Sequence, residues 1–273
     1  MALGFREQGK LRKAITVLED GTERAPAVWV LWKLLGDSNS DAGRYVEAEN
    51  AYQTALRLDG CDFSLVHLNR AIAFKRRGNF SEAKDTLKRI KSASLLQYAH
   101  ALKTQWHVQA GEIENAVRSA KKLALGWSES DSILNEEIEL NVRLACAEAF
   151  SLRTREADCA IVFAKSALKI DPTNQEAFAV LRAVRARKSP DARRYTLVLE
   201  GKWDSKSGFF RNCQVIARNE ILAFEYASDL ETPSRRSSLV IESMRCEKKK
   251  RPDELEGVYW MSGYMLYPLR KKK

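Results

Sequence analysis

The sequence predicts a mainly α chain in two parts. A solenoid of paired helices spans residues 1–188, and a small α+β domain with a basic C-terminal tail spans 189–273. Two observations carry this. First, a small residue or glycine, then an aromatic or aliphatic residue, then alanine recurs near Ala14, Ala48, Ala83, Ala116 and Ala160. That period of about 34 residues is the mark of a helix–turn–helix array. Second, after Arg187-Lys188-Ser189-Pro190 the helical spacing gives way to strand-like alternation.

The clearest copy runs Trp32, Leu35, Gly36, Gly43, Tyr45, Ala48, Tyr52, Ala55. Gly43 ends or loosens one helix at its turn, Tyr45 plugs the turn, and Ala48 lets two helices approach closely. Tyr52 and Ala55 continue the stripe at helical spacing. Later copies show Ala71, Phe74, Gly78, Phe80, Ala83, Leu87 and Ile90, then Gly111, Ile113, Ala116, Ala120 and Leu123, then Leu144, Ala157, Ala160, Ala164 and Ala167. The last closes at Asp171-Pro172, where proline cannot continue a helix. Together they make about four to five repeats. The first copy has room for only one short helix before Gly9, so an incomplete repeat is expected there, with apolar surface for self-association. An insertion at Gly126 to Ser132 displaces the fourth repeat. Residues 173–187 read as a terminal capping helix, with Ala177, Val180, Leu181 and Val184 facing the array.

The second part predicts the order β-β-α-β-β, a small sandwich of one helix on an antiparallel sheet. Arg194 to Glu200 alternates as a strand, and Asp204 to Gly208 is a turn. Phe209 to Ala217 is a second strand with Cys213, Val215 and Ala217 on one face. Asn219 caps a helix carrying Leu222, Ala223, Tyr226, Ala227 and Leu230. Leu239 to Arg245 is a third strand. Ser262-Gly263 is either a hairpin turn or a bend within one strand.

Composition narrows the function. The 45% hydrophobic content suffices for a core, and no apolar run approaches the length of a membrane span. The N-terminus lacks the apolar segment of a signal peptide, so the expectation is a cytoplasmic protein without membrane association. The five cysteines form no CxxC pair and read as reduced thiols, with Cys146 and Cys159 as small core residues. Three scattered histidines give no metal site, and there is no phosphate loop or nucleophile motif. The expectation is a chain with no catalytic residues, no cofactor and no metal. The formal net charge of +10 points to acidic partners, either a protein segment or nucleic acid. Basic clusters lie at Lys75 to Arg77, Arg185 to Lys188, Lys248 to Arg251 and Lys271 to Lys273.

The repeated residues resemble the tetratricopeptide repeat family over residues 1 to about 188. The resemblance implies two antiparallel helices per repeat and a concave groove lined by the first helices. Its register puts Lys33, Asp37, Asn69, Ile72, Lys75, Arg76, Tyr98, Gln105, Gln109, Val142 and Arg153 in that groove, a mixture suited to a peptide or helix of a partner protein. Lys33 and Asn69 also fall on two positions of the clamp by which some members hold a chaperone's C-terminal carboxylate. Asp37 stands where that clamp has a second asparagine, and an acid there would repel a carboxylate.

The resulting expectation is a non-catalytic scaffold or adaptor. The alternative is RNA or single-stranded DNA binding. There Lys248, Lys249, Lys250 and Arg251 would track phosphates, and Trp203, Phe209, Phe210, Tyr259 and Trp260 would stack on bases unless they form the sheet's core.

Overall fold

The computed structural model describes residues 1–125 and 136–269. The insertion expected at 126–132 and the Lys271 to Lys273 cluster lie outside them. The chain forms two compact units, Met1–Lys103 and Thr104–Lys273.

The first unit holds three helix pairs: α1 (Ala2–Glu7) with α2 (Leu11–Arg24), α3 (Trp29–Asp41) with α4 (Tyr45–Ala55), and α5 (Phe63–Arg76) with α6 (Phe80–Leu87). As expected, α1 is short. The turn inside each pair is built the same way. At the second, Gly43 has φ 75°, its amide donates to the Ser40 carbonyl and the Arg44 amide reaches back to Asn39. This is the left-handed glycine cap that satisfies the last carbonyls of a helix. The recurring alanines lie where the helices of a pair meet, and Ala14, Ala48 and Ala83 are fully buried. Gly36 permits the closest approach, since a Cβ there would stand 2.6 Å from the Tyr52 ring.

Helix α7 (Ala93–Gln109) runs from the first unit into the second. The second unit continues with α8 (Ile113–Leu125), α9 (Glu136–Ser151), a single 3-10 turn at Thr154–Glu156, α10 (Ala157–Ile170) and α11 (Gln175–Arg185). Ala116 and Ala160 repeat the buried alanine position. Cys146 is buried, which pushes its thiol up to about 12. Cys159, expected in the core, is exposed, because it lies beside Ala160 and turns off the packed stripe of α10.

The sheet follows: β1 (Arg193–Lys202), β2 (Ser207–Ala217), α12 (Glu220–Ser228), α13 (Pro233–Arg236), β3 (Val240–Lys250), β4 (Gly257–Met261) and β5 (Met265–Pro268). Its order is β3-β1-β2-β4, antiparallel throughout, with β5 also on β2. β4 pairs with Cys213–Ile216 and β5 with Ser207–Phe210, so Ser262-Gly263 is a bend in one interrupted edge strand and not a hairpin. Five strands therefore replace the four of the simplest reading. Asn219 caps α12 through the Leu222 amide, as its position suggests. The core gathers one face of the sheet: Tyr195, Leu197 and Leu199 from β1, Phe209, Cys213, Val215 and Ala217 from β2, with Ala223 and Tyr226 of α12. Phe178 of α11 belongs to this core as well. The capping helix thus packs on α10 and α9 with one side and on β4 with the other.

One charged pair lies inside the second unit. Arg211 and Glu231 have side chains 3% and 0% exposed and are 2.6 Å apart. Arg211 also donates to the carbonyls of Pro172 and Ser262, and the Tyr264 hydroxyl donates to Glu231. The pair ties the turn between α10 and α11 to the sheet's bend.

Candidate partner-binding face

In the first unit, α1, α3 and α5 each contribute one charged or polar stripe. Residues four apart share a helix face, so Lys33, Asp37 and Asp41 align on α3. Asn69, Ile72 and Arg76 align on α5 at spacings of three and four.

These stripes meet at Asp37, whose side chain is only 4% exposed. Its Oδ1 accepts from the Tyr52 hydroxyl at 2.9 Å and from the Asn69 amide at 3.0 Å. Its Oδ2 lies 3.0 Å from Lys33 Nζ and 3.5 Å from Arg6. A carboxylate accepts only, which suits a position ringed by donors. An asparagine would turn its own N–H groups toward them. This explains the acid at the centre of the clamp pattern: Asp37 already occupies Lys33 and Asn69 from within.

A second carboxylate extends the network. Asp41 pairs with Arg6 and with Arg76. Burial pushes the Asp41 acid up, but the hydrogen bonds and charges of the two guanidiniums outweigh it and hold the group below the usual range. Burial, then Asp37, pushes the Tyr52 phenol far up, so it remains a donor. The cations stay reachable: the Arg76 side chain is 45% exposed and Arg6 32%. Lys75 is half-buried and makes no ion pair among the described residues.

The structure therefore brings together Lys33, Asp37, Asn69 and Arg76, with Ile72 and Lys75 on the same helix as the last two. Tyr98 lies half-buried on the part of α7 in the first unit. Gln105 and Gln109 belong to the second unit. Arg153 is not on a helix: it sits in the turn after α9, paired with Glu114 of α8. Val142 is buried in α9, 2% exposed, and is core. Arg6 and Asp41 were not foreseen, and nor was the Tyr52 hydroxyl as a donor. The signal for Asp41 was present in its four-residue spacing from Asp37; Arg6 carried none, because its contact depends on how α1 packs.

The basic run of the second unit closes an edge strand. Lys248, Lys249 and Lys250 close β3 and are exposed, with Lys250 2.6 Å from Asp191. Arg251 is held by Glu247 and Glu254. Of the aromatics, Phe209 is fully buried and Trp203 packs edge-on against it. Phe210 stacks on Tyr267, Arg182 lies over Tyr259, and Trp260 is 40% exposed.

No protein-family model matches the chain, and no curated protein matches its sequence. Solved structures do match. A chain of the APC/C hetero-tetramer Cut9–Hcn1 aligns over 68% of this chain at TM-score 0.51 and 18% identity. A tetratricopeptide repeat protein from Parabacteroides merdae aligns over 68% of this chain and 70% of its own, at 18% identity and TM-score 0.47. The helical array has the tetratricopeptide-repeat fold. The C-terminal part of a tetratricopeptide repeat protein from Cytophaga hutchinsonii matches 68% of this chain at 11% identity and TM-score 0.49. This chain spans 35% of the Cut9–Hcn1 chain, about a third of its length. Among the described residues no helix is long and apolar enough to cross a membrane, and no group of acids, cysteines and histidines could hold a metal ion. Among the described residues the helices pair as α1–α2 to α9–α10, the first pair short, and α11 follows them.

Proposed function

We propose that this chain is a non-catalytic scaffold whose α1, α3 and α5 stripes dock an acidic segment of a partner protein. The observation that supports it is the charge of that face. Arg6, Lys33, Lys75 and Arg76 outnumber Asp37 and Asp41; Lys75 makes no ion pair among the described residues, and Arg76, though paired with Asp41, is 45% exposed. A partner carboxylate reaching Arg76 would form a charge-assisted bond without breaking the Asp37 hub. Ile72, half-buried beside them, offers an apolar contact. The test is capture from the source cell with the chain carrying Lys75→Glu and Arg76→Glu together. Capture should fall while the helical circular dichroism stays the same. Unchanged capture would remove this face from the function.

One observation favours a second reading, single-stranded nucleic acid. The sheet face away from the helices carries a row across four strands, Arg245, Thr196, Gln214 and Trp260, in register. Its ends stand about 14 Å apart at the usual strand spacing. An exposed tryptophan at one end and exposed cations at the other suit stacking and phosphate contact. Binding of this kind weakens steeply with salt. Salt-insensitive retention of an oligonucleotide, or none at all, would discard it.

A further inference from the structure

A cleft of about 870 Å³ opens in the first unit between the start of α5 and the segment joining α6 to α7. It uses none of the groups of the Asp37 network. We propose that it binds a phosphate monoester.

Three features converge there. The first is His67, one turn into α5 and only 8% exposed. It lines the cleft, and its Nδ1 has no hydrogen-bond partner. A buried ring nitrogen without a partner is costly in a folded protein, and a ligand atom would relieve that cost. Burial, then the nearby charges of Arg70 and Arg89, push the imidazole down from its usual range. The ring is therefore neutral at neutral pH and can donate or accept one hydrogen bond.

The second feature is positive charge. Arg89 and Lys91 line the cleft, are exposed and make no ion pair among the described residues. Lys88 stands beside them but is tied to Asp85 at 2.6 Å. The cleft has a single carboxylate, Asp62, which accepts from the Leu65 amide as the cap of α5. The segment carrying the cations is fixed, since Ser64 Oγ accepts from the amides of both Lys91 and Ser92.

The third is the first turn of α5, a helix of 14 residues: the Asp62 cap takes the Leu65 amide, and the amides of Phe63 and Ser64, which have no partner within the helix, favour an anion. Donors thus approach from the α5 turn, from Arg89 and Lys91, and from His67. Three directions match the three free oxygens of a phosphate monoester better than the two coplanar oxygens of a carboxylate. Phe63, 56% exposed on the rim, would pack against the organic part.

The test uses the full chain and nuclear magnetic resonance of its histidine rings, of which there are three. The probes are inorganic phosphate, phenyl phosphate and a phosphoserine peptide, each against sodium chloride at equal ionic strength. The expected result is a saturable shift of the His67 ring with a phosphate probe and none with chloride. Arg89→Ala with Lys91→Ala should weaken binding at least about tenfold. Asp62→Asn keeps a good cap and removes the opposing charge, so it should tighten binding several-fold. Phenyl phosphate binding as well as the peptide would identify a small phosphate ester. Binding of the peptide alone would identify a modified protein chain. Absence of a His67 shift below about 10 mM of every probe, an equal shift with chloride, or unchanged affinity in the double variant with intact helicity would each overturn the proposal.

Discussion

Each unit contains a network of charges that joins separate elements, and the two networks are built for different ends. In the first unit Asp37 is sealed at 4% exposure, but the cations around it reach solvent, up to 45% at Arg76. In the second unit both Arg211 and Glu231 are sealed, at 3% and 0%. An ion pair in water contributes little net stability and its partners exchange easily. A buried pair does not exchange, and removing one partner leaves a charge with no solvent. The first network therefore keeps exchangeable cations at the surface. The second holds the sheet's bend against the turn between α10 and α11 and is closed to solvent.

The largest effect that would break this comparison lies in the second unit. Glu231→Ala should destabilise it by about 3–5 kcal/mol, because Arg211 would stay buried and uncompensated. Urea unfolding followed at the tryptophans would show it, and a loss below about 1 kcal/mol would mean the pair is not sealed. Next is Gly36→Ala in the first unit. The added Cβ meets the Tyr52 ring at 2.6 Å, so α3 and α4 must separate and the phenol must leave Asp37. A cost of about 1–3 kcal/mol is expected in thermal unfolding.

Glu148 sharpens the contrast between a buried acid with a cation and one without. Burial and then Glu176 push it up to about 6, and no cation pairs with it among the described residues. A carboxyl raised in the folded state favours the fold when protonated, so its contribution is lost as pH rises from about 4.5 to about 6. Glu148→Gln should stabilise the protein by about 1 kcal/mol at pH 7, after allowance for its partial exposure, and by nothing at pH 4. Equal stability of both forms at pH 7 would contradict this. The smallest effect is that of Arg76→Ala, which should change stability by less than about 0.5 kcal/mol, and by still less in 1 M salt. Glu231→Ala should show no such salt dependence.

Much of the first unit was legible in the sequence because a repeat states its packing several times over. Ala14, Ala48 and Ala83 recur where helices touch, and each is fully buried. The strands β1 and β2 were legible from alternation, and the cap at Asn219 from its residue type. Cys159 was misplaced because one helical position, about 100°, separates core from solvent on a helix such as α10. Arg153 was misplaced because the last pair replaces the glycine turn by a 3-10 turn, which shifts the local register. β5 was uncertain because short alternating segments look alike in a hairpin and in a bent strand. Only pairing of both pieces with β2 separates the two cases.

By itself the sequence determined the helix pairs, their glycine turns, the change to a sheet after Pro190 and the excess of positive charge. These follow from local geometry and composition, which neighbouring residues settle among themselves. The tertiary structure decided that Asp37 is the hub of a network, because Arg6, Tyr52 and Asn69 reach it from three other helices. It also decided that Arg211 is buried against Glu231, although β2 alternation alone puts an arginine on an apolar face. Such contacts join residues 15 to 32 positions apart at the hub and 20 apart at the buried pair. Their energy depends on burial and on which donors converge, and neither is fixed until the helices and strands have packed.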